Sequence, residues 1–325
     1  MSKIYNEYEE SKKIINKYFP FINNGRIKLT MENAKKAETL LKIDSIYRNA
    51  SDIKQKPDEK FIKYLKGDLN TNEGKTKEYG SGAYWISRLV KLLNNEKITE
   101  DYTIDIVLKG VICAIDKENS THLTARKPIR ENDNKMDKDE LEASKGRQRV
   151  YERLKSVFFN NNSSDKDFKE YINNPEKSNY EIIDIIANPK YKTSDYAFKE
   201  YPAENFHFSF ATKFCRYVCI ELNTTRNKNN EDIIEDISDE GDKYYIYDGI
   251  IWGNLKKYVQ GIELNKDEEK IINNKDFYKE QNEGNNTNCG KHYNNYLKLL
   301  DKINEEDGNQ ISRNAFDHII WYFNK

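Results

Sequence analysis

"FHFSFATKFCRYVCIEL", residues 206–222, reads as a single helix. Phe206, Phe210, Phe214 and Val218 recur at four-residue spacing and form a seam that must be buried. Lys213 stands beside that seam. One turn before it lie Ser209 and Phe210, and one turn after it Arg216 and Tyr217. Aromatic surface desolvates such a lysine and a second cation repels it. Both effects lower its pKa and favour a neutral amine, the form a nucleophile requires. A lysine can instead snorkel to the surface along its own stem, so position alone leaves both readings open.

The same question returns in "KYYIYDGIIWGNL", residues 243–255, where Asp248 is set among aromatic and aliphatic residues. Ile250, Ile251, Trp252, Leu255 and Tyr258 make a helical run, and an aspartate just before such a run is a good N-cap. "KYYIYDG" also fits a short strand ending in an Asp-Gly turn. A third reading is a carboxylate held at a helix start within an aromatic wall, able to stabilise a developing cation or activate water.

Outward from these stretches the pattern stays helical. Apolar residues at three- and four-residue spacing predict helices over 6–19, 31–48, 57–67, 82–95, 101–116, 138–159, 165–173 and 178–187. Thr30 is placed to cap the second of these. Gly80 and Gly82 precede a helix on which Tyr84, Ile86, Leu89, Val90 and Leu93 can pack. "ISRNAFDHIIWYFNK", residues 311–325, has Ser312 as cap and Phe316, Ile319, Ile320 and Phe323 as its apolar stripe. Polar stretches at 68–79, 117–137, 223–243 and 273–291 read as loops or insertions. Strand-type alternation is rare. The expectation is an all-α protein with a helical N-terminal region, 1–159, and a second helical region, 160–325, interrupted by an acidic insertion at 223–243.

Composition bounds the function. A chain of 325 residues can bury a core in one large domain or two smaller ones. Charged residues are 34% of it, so 23 Tyr and 14 Phe must supply much of the burial. No run of about 18 apolar residues exists, so no membrane span is expected. "MSKIYNEYEESKK" has no apolar core of a signal peptide. Four scattered cysteines suggest a reducing, cytoplasmic compartment. Cys215 and Cys219, four apart on a helix, read as two small buried residues rather than a metal pair. The four histidines form no ligand cluster, and no metal or organic cofactor is expected.

The net charge of −1 argues by itself against a nucleic-acid binder, but the charge is unevenly spread. Residues 1–100 carry 20 Lys/Arg against 14 Asp/Glu, and residues 122–155 carry 10 against 7. Residues 225–243 carry 3 against 7, and residues 261–325 carry 9 against 12. A basic front and an acidic back can steer a polyanion to one face, although ordinary solvated surface gives similar runs.

Taken together, "ATKF" on a helix and "IYDGIIW" at the next helix start resemble the helix-hairpin-helix superfamily of DNA glycosylases, most closely its 8-oxoguanine glycosylase branch. The resemblance covers residues 206–222, 243–259 and, weakly, 311–325. It implies a helical bundle in which Lys213 attacks the sugar carbon C1′ and Asp248 assists. It implies that an extruded base is held between Tyr217 and an aromatic of the last helix, Phe316 or Trp321. The partner it implies is double-stranded DNA with a damaged or modified base, and strand nicking by β-elimination can follow. The family's Gly-x-Gly ahead of the lysine is replaced here by "AENFHFSFATK", so Asn205 or His207 is the candidate for holding a phosphate. Arg216 and the basic face carrying Arg147, Arg149 and Arg153 are the further DNA-contact candidates. The acidic insertion must point away from the DNA. Two alternatives stay open: a helical binding module that has lost its chemistry, and a glycosylase that defends against invading phage DNA by excising its modified bases.

Overall fold

The computed structural model describes residues 26–37, 56–67, 80–118, 135–159, 167–189, 191, 206–224, 243–280, 288–307 and 311–323; the side chains of residues 118, 135–145 and 321–323 lie outside the description. Among the described residues there are helices and no strands, so the chain is all-α to this extent. The expected helix at 6–19 lies outside the described residues, and that at 31–48 is described over 31–37. Its cap is the expected one, with the Asn33 N–H donating to Thr30 Oγ1 at 3.2 Å.

Helices α1 (Glu59–Lys66), α2 (Gly82–Leu93) and α3 (Ile104–Glu118) form the first layer. Asp58 and Ser81 cap α1 and α2 by accepting the N–H groups of Phe61 and Tyr84. Helices α2 and α3 touch closely because residue 110 is glycine: a Cβ there would lie 2.4 Å from the Trp85 ring. Helix α4 (Lys135–Phe158) packs on α3, and α5 (Phe168–Asn173) follows with Asp167 as its cap. The helix expected over 178–187 begins late. A 3-10 turn at Pro175–Ser178 and two left-handed residues, Asn179 and Tyr180, precede α6 (Glu181–Ala187).

Helix α7 (Phe208–Asn223) is the "FATKF" helix, and it packs against α2, α3, α5 and α6. Helices from both expected regions therefore share one core, a continuous cluster of buried side chains from Ile27 to Ile320. Helix α8 (Gly249–Tyr258) packs on α9 (Lys266–Asn273) and on the last helix, α11 (Arg313–Phe323). It meets α7 through its own N-terminus. A 3-10 turn at Phe277–Lys279 leads to α10 (Cys289–Glu306), which packs against α6 and α9.

Sequence periodicity did not lead to α9 or α10. Helix α9 carries a capping box of Asn265 and Glu268. The inward stripe of α10 is Tyr293, Tyr296, Leu297, Leu300 and Ile303, in which tyrosines stand where aliphatic residues are usually sought. Those tyrosines belong to an aromatic wedge. Phe208 stacks on Tyr278 at 4.3 Å, and Tyr247 meets Phe208, Phe277 and Tyr296 edge-on. The wedge joins the start of α7 to the chain just before α8, and so it sets the relative position of the two sequence motifs.

Candidate functional site

Residues 243–248 lead into α8 outside any helix or strand. Side chains of α7, α10 and α11 hold their backbone instead. Lys243 O accepts from Arg313 at 2.5 Å, and Tyr244 O accepts from Arg216. The hydroxyls of Tyr293 and Tyr296 donate to Tyr245 O and Ile246 O at 2.7 and 3.1 Å. The N–H of Ile246 donates to Asp317 Oδ2 at 3.0 Å, and that of Tyr247 to Thr212 Oγ1 at 3.1 Å. A buried backbone needs such partners, and here six side chains supply what a neighbouring strand supplies elsewhere.

This harness delivers Asp248 to the start of α8. Its Oδ1 accepts the N–H groups of Ile250 and Ile251, both at 2.9 Å, so it is the N-cap that the sequence suggests. Its other oxygen, Oδ2, lies 3.9 Å from Lys213 Nζ, with side-chain exposures of 13% and 11%. The pair is within Coulombic range and beyond hydrogen-bond distance, and among the described residues the ammonium makes no hydrogen bond. Burial lowers the Lys213 pKa, while the carboxylates of Asp248 and Asp317 oppose that shift. The acid and the base singled out in the two motifs are therefore brought together, with one carboxylate oxygen used structurally and the other facing the amine. Lys275 is the exposed cation beside this turn, its Nζ lying 3.7 Å from the Cβ position of Gly249.

The other candidates divide. Tyr217 is half-buried at the edge of the core. Phe316 is fully buried, edge-on to Tyr245 at 5.0 Å, and does not offer a face to a base; that expectation is corrected. Asn205 and the Trp321 side chain lie outside the described residues. Three of the expected DNA-contacting arginines face inward. Arg147 is 1% exposed and pairs with Asp116 at 2.8 Å. Arg153 donates to Ile185 O and Ile186 O, capping the C-terminus of α6. Arg216 is bound to Asp317, Asn314 and Tyr244 O. Charge counting could not separate these from surface arginines, because an arginine with buried partners reads the same in sequence. Arg149 is partly exposed.

His207 is buried too, and cannot serve as a phosphate anchor. Its backbone N–H closes on Ala187 O at 2.9 Å, tying the end of α6 to the start of α7. Burial, with Arg153 and Arg149 adding to it, pushes its pKa from 6.5 down to about 3. The imidazole is thus neutral when folded and accepts a proton more readily when unfolded. Stability from this group is complete above pH 6.5 and is lost as pH falls from 6.5 towards 3. In urea titrations at successive pH values, His207→Gln should flatten this acid loss by up to about 1.4 kcal/mol per pH unit within the window.

The residues missed from sequence are those of the harness: Thr212, Tyr293, Tyr296, Arg313 and above all Asp317. The one available signal was Asp317 in "AFDHII", an acid next to the apolar stripe of α11 as Lys213 is next to that of α7.

Among the described residues no helix is long and apolar enough to cross a membrane, and no group of His, Cys, Asp and Glu is arranged to hold a metal. All four cysteines are buried and none is in a disulfide. Comparison with protein-family models, curated proteins and solved structures finds no match. The class defined by fold and site is accordingly a physical one: an all-α chain with a mostly buried lysine facing a helix-capping aspartate.

Proposed function

We propose that this chain is a DNA N-glycosylase of the helix-hairpin-helix kind, acting on a damaged or modified base in duplex DNA. The observation that carries the proposal is the 3.9 Å approach of Lys213 Nζ to Asp248 Oδ2, two groups far apart in sequence. The desolvated amine supports it further, since burial favours the neutral nucleophile.

In this reading the target nucleotide swings out of the stack. The Lys213 amine adds to C1′ as the C1′–N bond breaks, and the base leaves with the bonding pair and takes up a proton. Asp248 Oδ2 stabilises the positive charge that builds on the sugar. Loss of the amine proton with opening of the sugar ring gives an imine. Water hydrolyses the imine, returning the lysine and leaving an abasic sugar; β-elimination from the imine would nick the strand. Lys275 is suited to a phosphate contact, and Tyr217 to a stacking contact with the base. The buried thiols fit a reducing cytoplasm, where DNA is also found.

Trapping tests this directly. Duplexes containing 8-oxoguanine, uracil, alkylated purines or hypermodified pyrimidines are incubated with the protein and borohydride. At least one should give a covalent protein–DNA adduct. Asp248→Asn should fold and bind that same DNA, because asparagine also caps helices well. It should lose base release by roughly two or more orders of magnitude. The glycine-less entry to α7 favours a second reading, a helical binding module without chemistry. For that module Asp248→Asn changes no activity, and Asp248→Ala costs about 1 kcal/mol of stability.

A further inference from the structure

The deepest charged pair around the site is not Lys213 and Asp248 but Arg216 and Asp317. Arg216 and Asp317 Oδ2 are 2.8 Å apart, with side-chain exposures of 3% and 5%. Taking two ions out of water costs several kcal/mol each, and well-packed apolar replacements of buried pairs are often neutral or stabilising. Stability is therefore a poor reason for this pair. Its hydrogen bonds suggest another. Arg216 grips Tyr244 O, while Asp317 Oδ2 accepts the N–H of Ile246. Asn314 steadies the guanidinium from α11 at 2.6 Å. The pair thus clasps the harnessed segment from opposite helices, two residues short of Asp248. It also sits one turn along α7 from Lys213.

Electrostatics gives the clasp a second consequence. Lys213 feels the carboxylates of Asp248, from the cap of α8, and of Asp317, from α11. Arg216, on the lysine's own helix, is bound to Asp317 and offsets its charge. His318, next along α11, is held neutral because burial and the neighbouring Arg216 depress its pKa to about 4. Without Arg216, the unbalanced charge of Asp317 would favour the protonated lysine more strongly. Without Asp317, Arg216 would repel the ammonium.

We propose that Arg216 and Asp317 are the positioning pair of this site, gripping residues 244–246 to set Asp248 against Lys213 while presenting the amine with almost no net charge. The inference deepens the glycosylase reading and rests on it for its catalytic meaning.

Its test uses the whole chain and no DNA. Wild type, Asp317→Asn, Arg216→Met and the double variant are reductively methylated with formaldehyde and cyanoborohydride at constant neutral pH. Peptide mass spectrometry then gives the Lys213 rate relative to exposed Lys257 in the same protein. Half a pK unit changes the neutral-amine fraction about three-fold, which sets the scale of the expected effects. Asp317→Asn should speed Lys213 methylation by roughly three-fold or more, and Arg216→Met should slow it by a similar factor. The double variant should return to within about two-fold of wild type, since the two charges leave together. A pair that only supports packing predicts faster labelling in both single variants, because both would loosen the site. Changes of the same sign, or no change in either, overturn the proposal. Asparagine keeps an acceptor for the Ile246 N–H. Should Arg216→Met fail to fold, Arg216→Gln takes its place, and faster or unchanged Lys213 labelling in that variant is the overturning result. Because methylation needs no lesion, opposite shifts without any DNA adduct would defeat the glycosylase reading and leave the charge-balancing role in place.

Discussion

Lys213→Gln is expected to abolish the borohydride-trapped protein–DNA adduct and to reduce base release to background. Glutamine is close in reach but its amide nitrogen cannot form an imine, so the loss is chemical rather than one of shape. Little structural cost should accompany it, since the ammonium makes no hydrogen bond among the described residues and meets Asp248 only at 3.9 Å. The wild-type trapping rate should rise with pH as the amine deprotonates. Its midpoint should fall below the ordinary lysine value of 10.5, because burial penalises the charged form more than Asp248 and Asp317 favour it. Adding Asp248→Asn should move that midpoint lower still, as one of the two opposing carboxylates is gone. Full-rate base release by Lys213→Gln would refute the assignment. So would a trapped adduct that peptide mapping locates at another lysine.

Arg147→Met is expected to destabilise the fold by about 3–5 kcal/mol, and Arg147→Glu by more. Arg147 is 1% exposed, and Asp116 faces it at 2.8 Å. Removing the arginine leaves a carboxylate from α3 with its charge buried and without this counter-ion. Replacing both partners, as in Arg147→Met with Asp116→Leu, should recover much of the loss, since neither charge of this pair then remains buried alone. Urea denaturation monitored by far-UV circular dichroism measures all four proteins. The result bears on DNA binding as well. Were Arg147 a phosphate contact on a basic face, Arg147→Met would leave stability unchanged and lower the salt slope of binding by about one. A stability loss with no such slope change is the outcome that the buried pair requires.

The two motif residues were legible for a local reason. Helix geometry places Lys213 beside the Phe210, Phe214 and Val218 seam, and the tertiary packing then buries it rather than letting it snorkel outward. An aspartate directly before "GIIWGNL" caps because its side chain reaches the first N–H groups of its own helix. Ser312 and Thr30 were legible in the same way, each cap needing only neighbours within three residues; Ser312, for one, accepts the N–H of Ala315 at 3.0 Å. Helix α10 was harder to see because its buried stripe is partly tyrosine, whose hydroxyls are used on the backbone of residues 245 and 246.

The sequence by itself determined most of the helices, the Thr30 and Ser312 caps and the place of Lys213 beside an apolar seam, because each rests on contacts within one or two turns of chain. Only the tertiary structure decided that Lys213 and Asp248 meet. Their approach depends on a segment outside any helix or strand, residues 243–248, held by side chains from α7, α10 and α11. It likewise decided that Arg147, Arg153 and Arg216 point inward. Whether an arginine is surface charge or buried clasp depends on a carboxylate or carbonyl tens of residues away: Asp116 for Arg147, Ile185 and Ile186 for Arg153, Asp317 for Arg216. Those partners become neighbours only when the aromatic wedge and the shared core close around them.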